Sequence, residues 1–333
     1  MTFTRLRELG SGNFGDVFLE RDDYLGRLVA SKYLNSTAIA FGADVVAEAR
    51  TQLEAHHANV VTVYSVDESP AGPVVRMEYL AGGSVGARYR GAPVCLREAV
   101  LMVEQACRGI HHLHLCGLLH RDIKPDNLLL AEDGSIKVSD FGLACEQALA
   151  DDALHLGYYA HLAPEDRAAR YVRTVEGDVF ALGVTTYRLV NGDRFSAFLP
   201  GSLSLTSWSI DGSAPNPELW LPHVSKGLKK TISKAMATEP RRRYRSVADF
   251  RRDLERHRPV RSWCPPGGIE GTWCAEDADG TEWVVSVERS TGGWRASGKS
   301  RKPTREWRNV TRMAGSFATL REAQLHLEAV LAD

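Results

Sequence analysis

Partway along the chain the apolar residues change period, and that change limits the folds open to it. Up to about residue 80 they fall in short runs between turn residues, at 3–9, 17–21, 28–33, 60–66 and 74–80. Such runs read as strands. Residues 44–55 interrupt them with helical character. From Leu96 onward Val100, Val103, Cys107, Ile110 and Leu113 recur at helical spacing. Further helices are expected over 176–190, 226–237 and 246–257. Strands followed by helices predict an α+β architecture with a cleft between a small sheet and a helical lobe.

The 333 residues suffice for about two domains. Hydrophobic residues make up 44% and charged residues 25%, which excludes a disordered or fibrous chain. A net charge of −1 argues against a protein that coats nucleic acid by charge alone. No apolar run reaches the ~18–20 residues that span a membrane. The opening Met1-Thr2-Phe3-Thr4-Arg5 lacks the apolar core of a secretory signal. Cys95, Cys107, Cys116, Cys145, Cys264 and Cys274 are scattered with no CxxC pair, so reduced thiols in a cytoplasmic protein are expected. Only Cys264 and Cys274 suggest a pair.

Gly10-Ser11-Gly12-Asn13-Phe14-Gly15-Asp16-Val17 has the form G-x-G-x-x-G-x-V. In a dinucleotide fold the third glycine opens a helix. Here Val17-Phe18-Leu19 continues as a strand, so the loop is a hairpin whose backbone amides can approach phosphates. On the third strand, alternation puts Ala30 and Lys32 on one face. The small residue leaves room for a flat base, and the ammonium can hold phosphate oxygens. Glu48, in the following helical stretch, is placed to pair with Lys32.

The most specific signal is His120-Arg121-Asp122-Ile123-Lys124-Pro125-Asp126-Asn127, followed by Asp140-Phe141-Gly142 and Ala163-Pro164-Glu165. With the glycine loop and Lys32, this order resembles the eukaryotic-type (Hanks-type) Ser/Thr protein kinases over about residues 3–258. The resemblance implies a bilobal protein kinase fold, with an N-lobe antiparallel sheet plus one helix and a mostly helical C-lobe. It implies ATP and Mg²⁺, or Mn²⁺ in its place, as cofactors, and protein substrates. Asp122 would orient the attacking hydroxyl and Lys124 offset charge on the moving phosphate. Asn127 and Asp140 would be the metal ligands. Lys32 would hold phosphates, steadied by Glu48. Gly10, Ser11, Gly12, Asn13, Phe14 and Gly15 would cover the phosphates, while Val17, Ala30 and Leu129 would sandwich the adenine. Met77 would be the gatekeeper, and Glu78-Tyr79-Leu80 the hinge. Asp178 would brace the catalytic loop, and Glu165 would pair with Arg243.

Some positions depart from the family pattern. Between Asp140 and Glu165 there is no serine or threonine; Tyr158 and Tyr159 are the only phosphorylatable hydroxyls. Arg121, which in the family grips a phosphate on that segment, has no phosphoserine or phosphothreonine to meet. Activity without Ser/Thr phosphorylation of this segment is therefore expected. Tyr158 and His161 replace the family's threonine and tyrosine, and Gln52 stands where an apolar side chain is usual.

The expected domains are a kinase domain over 1–258 (N-lobe 1–80, C-lobe 81–258), a linker over 259–267 and a small α+β domain over 268–333. Five of the seven tryptophans follow residue 258. Strands are expected over 281–290 and 294–297, and a helix over 319–332 with Thr319 as N-cap. The basic stretch 294–312, flanked by Trp294 and Trp307, fits a partner or nucleic-acid surface. From Pro259 onward, however, 10 basic residues are matched by 10 acidic ones, which favours a solvated face. The expectation is a cytoplasmic kinase that transfers the γ-phosphate to Ser/Thr hydroxyls of proteins, with no membrane association. Its alternative is a catalytically weak kinase-fold scaffold whose C-terminal domain binds a partner or nucleic acid.

Overall fold

A computed structural model describes residues 3–12, 15–35, 53, 56–70, 72–140, 161–168, 174–193 and 220–331. Five antiparallel strands form the N-terminal sheet: β1 (Phe3–Gly12), β2 (Gly15–Asp22), β3 (Leu28–Leu34), β4 (Val63–Ser69) and β5 (Gly72–Glu78), in the order β1-β2-β3-β5-β4. The fourth and fifth strands pair through a tight hairpin around Ser69 and Gly72, which moves both a few residues from the sequence expectation. Leu34, Val63 and Val75 form the small core beneath the sheet. The expected helix 44–55 lies outside the described residues apart from helical Leu53.

The helical lobe is built on α2 (Leu96–Leu115), which follows the short α1 (Val85–Tyr89). Val100, Val103, Cys107, Ile110 and Leu113 are all fully buried along one face of α2, as their spacing requires. A Cβ at Gly109 would lie 2.2 Å from the Asn59 carbonyl oxygen, so glycine here lets the segment before β4 cross the helix closely. The strands β6 (Leu128–Leu130) and β7 (Ile136–Val138) pair with each other. They are followed by α3 (Pro164–Ala168), α4 (Val175–Asn191), α5 (Lys226–Ala235) and α6 (Val247–Arg256). Most of α4 is buried, and Thr174 caps it by accepting from Gly177 N. Among the described residues no helix is long and apolar enough to cross a membrane.

The C-terminal sheet contains β8 (Gly271–Glu276), β9 (Glu282–Ser290), β10 (Gly293–Arg301), β11 (Arg308–Asn309) and β12 (Gly315–Phe317), with α7 (Leu320–Leu331) following it. Its order is β11-β10-β9-β8, and β12 also pairs with β10. Thr319 caps α7, accepting from Glu322 N at 3.2 Å, while the Glu322 carboxylate accepts from Ala318 N at 2.9 Å. Trp263, Trp273, Val285, Val287 and Leu327 are fully buried in one core with Leu221. Leu221 comes from the helical lobe and Trp263 from residues 259–267, so the tail core is completed by the chain before it. The Leu96 amide donates to Trp263 O, and the Arg97 guanidinium donates to the carbonyls of Pro259 and Val260.

The cysteines are not all reduced as expected from the sequence. Cys95 and Cys264 form a disulfide across 169 residues of sequence. Cys264 faces Cys274 across a β-bridge without bonding to it covalently. Cys107 is a free, buried thiol, whereas Cys116 and Cys274 are exposed. The fold lays residues 262–264 on the N-terminus of α2, a juxtaposition with no sequence signature.

His223 lies between the lobe and the tail, 1% exposed, with its ring centroid 5.2 Å from that of Trp273. Neither ring nitrogen has a hydrogen-bond partner among the described residues. Burial, helped by the Lys229 ammonium, pushes its pKa down to about 3. The depressed value means that the neutral ring is the folded form. The unfolded chain takes up a proton as pH falls below ~6.5 and the folded chain does not, so stability is lost at up to about 1.4 kcal/mol per pH unit. We expect His223→Leu to show a flatter decline than wild type between pH ~6.5 and ~4 in urea unfolding; parallel curves would refute the linkage.

Candidate active site

The loop 120–127 joins α2 to β6 and is shaped by one buried carboxylate. Asp178 on α4 is 3% exposed. It accepts from His120 N at 2.8 Å, Arg121 N at 2.9 Å and His114 Nε2 at 2.7 Å. Burial works to raise its pKa, but the His114 hydrogen bond and charge overcome this and hold it below the ordinary aspartate value. Arg121 is thereby held at φ +71°, in the left-handed region, a conformation costly for a residue with a Cβ.

Beyond this turn the side chains converge on Asp122. Lys124 Nζ donates to Asp122 Oδ2 at 2.8 Å, and Asn127 Nδ2 donates to the same oxygen at 2.8 Å and to the Asp122 carbonyl at 2.7 Å. The other carboxylate oxygen, Oδ1, is buried and has no hydrogen-bond partner among the described residues. Because Asn127 is anchored through its amide nitrogen, its side-chain oxygen is left for another ligand. Ser139 N donates to Asn127 O at 3.0 Å, which ties Asp140 to this loop.

Asp140, at φ +55°, makes an ion pair with Lys32 across the cleft. Desolvation raises the Asp140 pKa, but the adjacent Lys32 ammonium and nearby Lys124 bring the carboxyl below its ordinary value. Lys32 is 7% exposed on β3, opposite Val17 of β2 and Val75 of β5. Ala30 lies opposite Met77, on the same strand face as Lys32. Leu129, half-buried between buried Leu128 and Leu130, faces away from the lobe core. Glu78 directs its carboxylate to Lys137 Nζ at 2.7 Å, a cross-lobe pair.

The glycine loop is the hairpin expected: Gly12 pairs with Gly15, Ser11 with Asp16 and Gly10 with Val17. Ser11 Oγ donates to Asp16 Oδ1 at 2.6 Å. Gly15 takes φ +138°, and a Cβ there would lie 1.8 Å from Tyr33 O, so the position excludes any other residue. Asn13, Phe14, Glu48, Gln52, Phe141, Gly142, Tyr158 and Tyr159 lie outside the described residues.

The donor set suits a triphosphate with a hard divalent cation. Asp140 is ionised, Asn127 presents an amide oxygen, and such oxygens are what Mg²⁺ takes up together with phosphate. Lys32 and Lys124 supply the positive charge a polyphosphate needs. Glycines in the hairpin leave the backbone open above them. Away from this cluster, Arg243 makes a bidentate pair with Glu165 at 2.6 and 2.7 Å and anchors α3. Sequence reasoning missed His114 and Lys137. Both reach the site only through folding, His114 from the α2 surface and Lys137 from a three-residue strand, and neither sits in a motif.

The sequence profile of the protein kinase domain family matches residues 3–248. The chain is 30% identical over 259 residues to the serine/threonine-protein kinase PrkC of Bacillus subtilis, covering 75% of this chain and 39% of that protein. Pkn1 of Myxococcus xanthus, also named a serine/threonine-protein kinase, is 32% identical over 76% of this chain and 38% of its own length. PknB of Mycobacterium tuberculosis, of the same description, is 30% identical over 86% of this chain and 46% of its own. The chain thus spans less than half the length of these relatives. With the profile covering most of its residues, the chain belongs to the protein kinase family.

Proposed function

We propose that this chain transfers the γ-phosphate of ATP to serine or threonine hydroxyls of protein substrates. The observation that carries the reading is the asymmetry of Asp122. One oxygen is held by Lys124 and Asn127, while the other is buried and has no partner among the described residues. A buried carboxylate oxygen without a partner is costly, and a substrate hydroxyl donating to it would relieve that cost. Asp122 then orients the nucleophile and accepts its proton. Lys124, already within reach, moves toward the transferred group as its charge develops. Lys32 releases Asp140 and takes phosphate oxygens, leaving the Asp140 carboxylate and the Asn127 side-chain oxygen as ligands for Mg²⁺. When bound, that ion neutralises phosphate charge. Val17, Ala30, Met77 and Leu129 flank the base, and the backbone of Glu78–Leu80 pairs with it.

Serine or threonine as acceptor is supported by Lys124 in the catalytic loop and by the similarity to serine/threonine-protein kinases. The absence of serine and threonine between Asp140 and Glu165 supports a kinase that needs no Ser/Thr phosphorylation there.

With radiolabelled ATP and a protein substrate mixture, Asp122→Ala should lose about 10²–10⁴-fold in transfer while keeping nucleotide affinity. Asp140→Ala should instead lose Mg²⁺-dependent nucleotide binding, read by titration with and without the metal. Wild-type chain that binds ATP but transfers nothing would favour the scaffold alternative. Peptide mass mapping of fully active protein should find residues 140–165 unmodified; activity that appears only after phosphate enters that segment would overturn the regulatory part of the reading.

A further inference from the structure

Three of the six cysteines meet where the tail joins the helical lobe. Cys95 is the N-cap residue of the 20-residue α2 and is bonded to Cys264. Cys264 lies opposite Cys274 in an antiparallel bridge in which both backbone hydrogen bonds form. Cys264 N donates to Cys274 O at 2.7 Å, and Cys274 N donates to Cys264 O at 3.3 Å. Residues paired in this way are about 5.5 Å apart at Cα and direct their side chains to the same face of the sheet. That separation lies within the ~4.4–6.8 Å that disulfides span. Cys274 is a free thiol and exposed to solvent. The remaining described thiols lie elsewhere: Cys107 is buried within α2, with its pKa raised by burial, and Cys116 is at the opposite end of that helix.

We propose that Cys95, Cys264 and Cys274 form a thiol–disulfide exchange site. The Cys274 thiolate attacks Cys264 Sγ, the sulfur across the bridge from it. The Cys264–Cys274 bond forms as the Cys95–Cys264 bond breaks, and the electron pair leaves on Cys95 Sγ. One disulfide is consumed and one is made, so the step needs no oxidant or reductant. Cys274 loses its proton to solvent and Cys95 takes one up. The direction of attack follows from the pairing, since Cys274 faces Cys264 and not Cys95.

The leaving group is well placed. Cys95 Sγ sits at the N-terminus of a long helix and makes no capping hydrogen bond of its own, the first two amides of the helix being taken by Trp263 O and Ser262 Oγ. A thiolate at a helix N-terminus is favoured by the helix dipole, which eases the departure of Cys95 Sγ as leaving group. The exchange replaces a covalent tie between lobe and tail with one inside the tail. What then holds residues 259–263 to α2 is the Leu96 N–Trp263 O bond at 2.9 Å, the Arg97 N–Ser262 Oγ bond at 3.2 Å and the Arg97 contacts with carbonyls.

The test uses the full chain, brought to one disulfide with glutathione disulfide, freed of small thiols and held without oxygen at mildly alkaline pH. Samples are acid-quenched over time, alkylated, digested and mapped by mass spectrometry. The expected result is two isomers: Cys95–Cys264 with Cys274 alkylated, and Cys264–Cys274 with Cys95 alkylated. In Cys274→Ser the second isomer should vanish while the first remains. In Cys95→Ser, Cys264–Cys274 should form under the same treatment. The proposal is overturned if wild type shows only Cys95–Cys264 at every time, if that bond never forms, or if folded Cys95→Ser leaves Cys264 and Cys274 both reduced. Should Cys95→Ser fail to fold, the wild-type map alone decides.

Discussion

The Asp178 carboxylate is the constraint on which the cleft depends. It is buried on α4, and a lone charge there would be expelled or neutralised. It stays because three donors converge on it: two consecutive backbone amides of the catalytic loop and the His114 ring. Each hydrogen bond to a charged group contributes about 1.5–3 kcal/mol, whereas a left-handed non-glycine residue costs about 1–3 kcal/mol. The hydrogen bonds therefore outweigh the strained turn at Arg121. With that turn fixed, Asp122, Lys124 and Asn127 follow at set positions within a few residues.

From this anchor the charges of the cleft order themselves. Asp122 faces one cation, Lys124, and Asp140 faces another, Lys32. The two pairs belong to one arrangement, because Ser139 N is hydrogen-bonded to Asn127 O, and Asn127 in turn holds Asp122. Lys32 reaches the group from β3, where the register with β2 and β5 fixes its height in the cleft. The lobes are also joined by the pair of Lys137 with Glu78 and by the bonds of Val138 with Asn59 and Val61. A displacement of one lobe would thus act on Lys32 and Asp140 together.

Much of this was legible in the sequence, because local chemistry dictates it. The hairpin 10–17 needs glycine at Gly15, where a Cβ would strike Tyr33 O. The α2 stripe from Val100 to Leu113 is fully buried, as helical spacing demands. Residues joined only by tertiary packing gave no such signal. The Cys95–Cys264 bond closes across 169 residues, and no spacing rule links those two positions. His114 looks like one more polar residue on a helix rich in histidines, and only the fold brings it to Asp178. The edges of β4 and β5 shifted because their hairpin at 69–72, rather than β-branching, sets where pairing starts.

The basic stretch of the tail illustrates how pairing decides what composition leaves open. Read along the chain, 294–312 is a run of positive charge. Across the sheet, Arg301 binds Glu282 at 2.6 Å, and Arg295 lies directly opposite Glu288. Strand register therefore sets acids on β9 against bases on β10, and part of the field is cancelled at its source. The tryptophans divide in the same way. Trp263 and Trp273 are buried with Leu221 of the helical lobe, whereas Trp307 stays 39% exposed beneath the Arg301 guanidinium. The fully buried aromatic surface of this region serves to join the tail to the lobe. Since Trp263 and Leu221 come from outside the sheet, cutting the chain just before β8 would remove side chains on which the tail core closes.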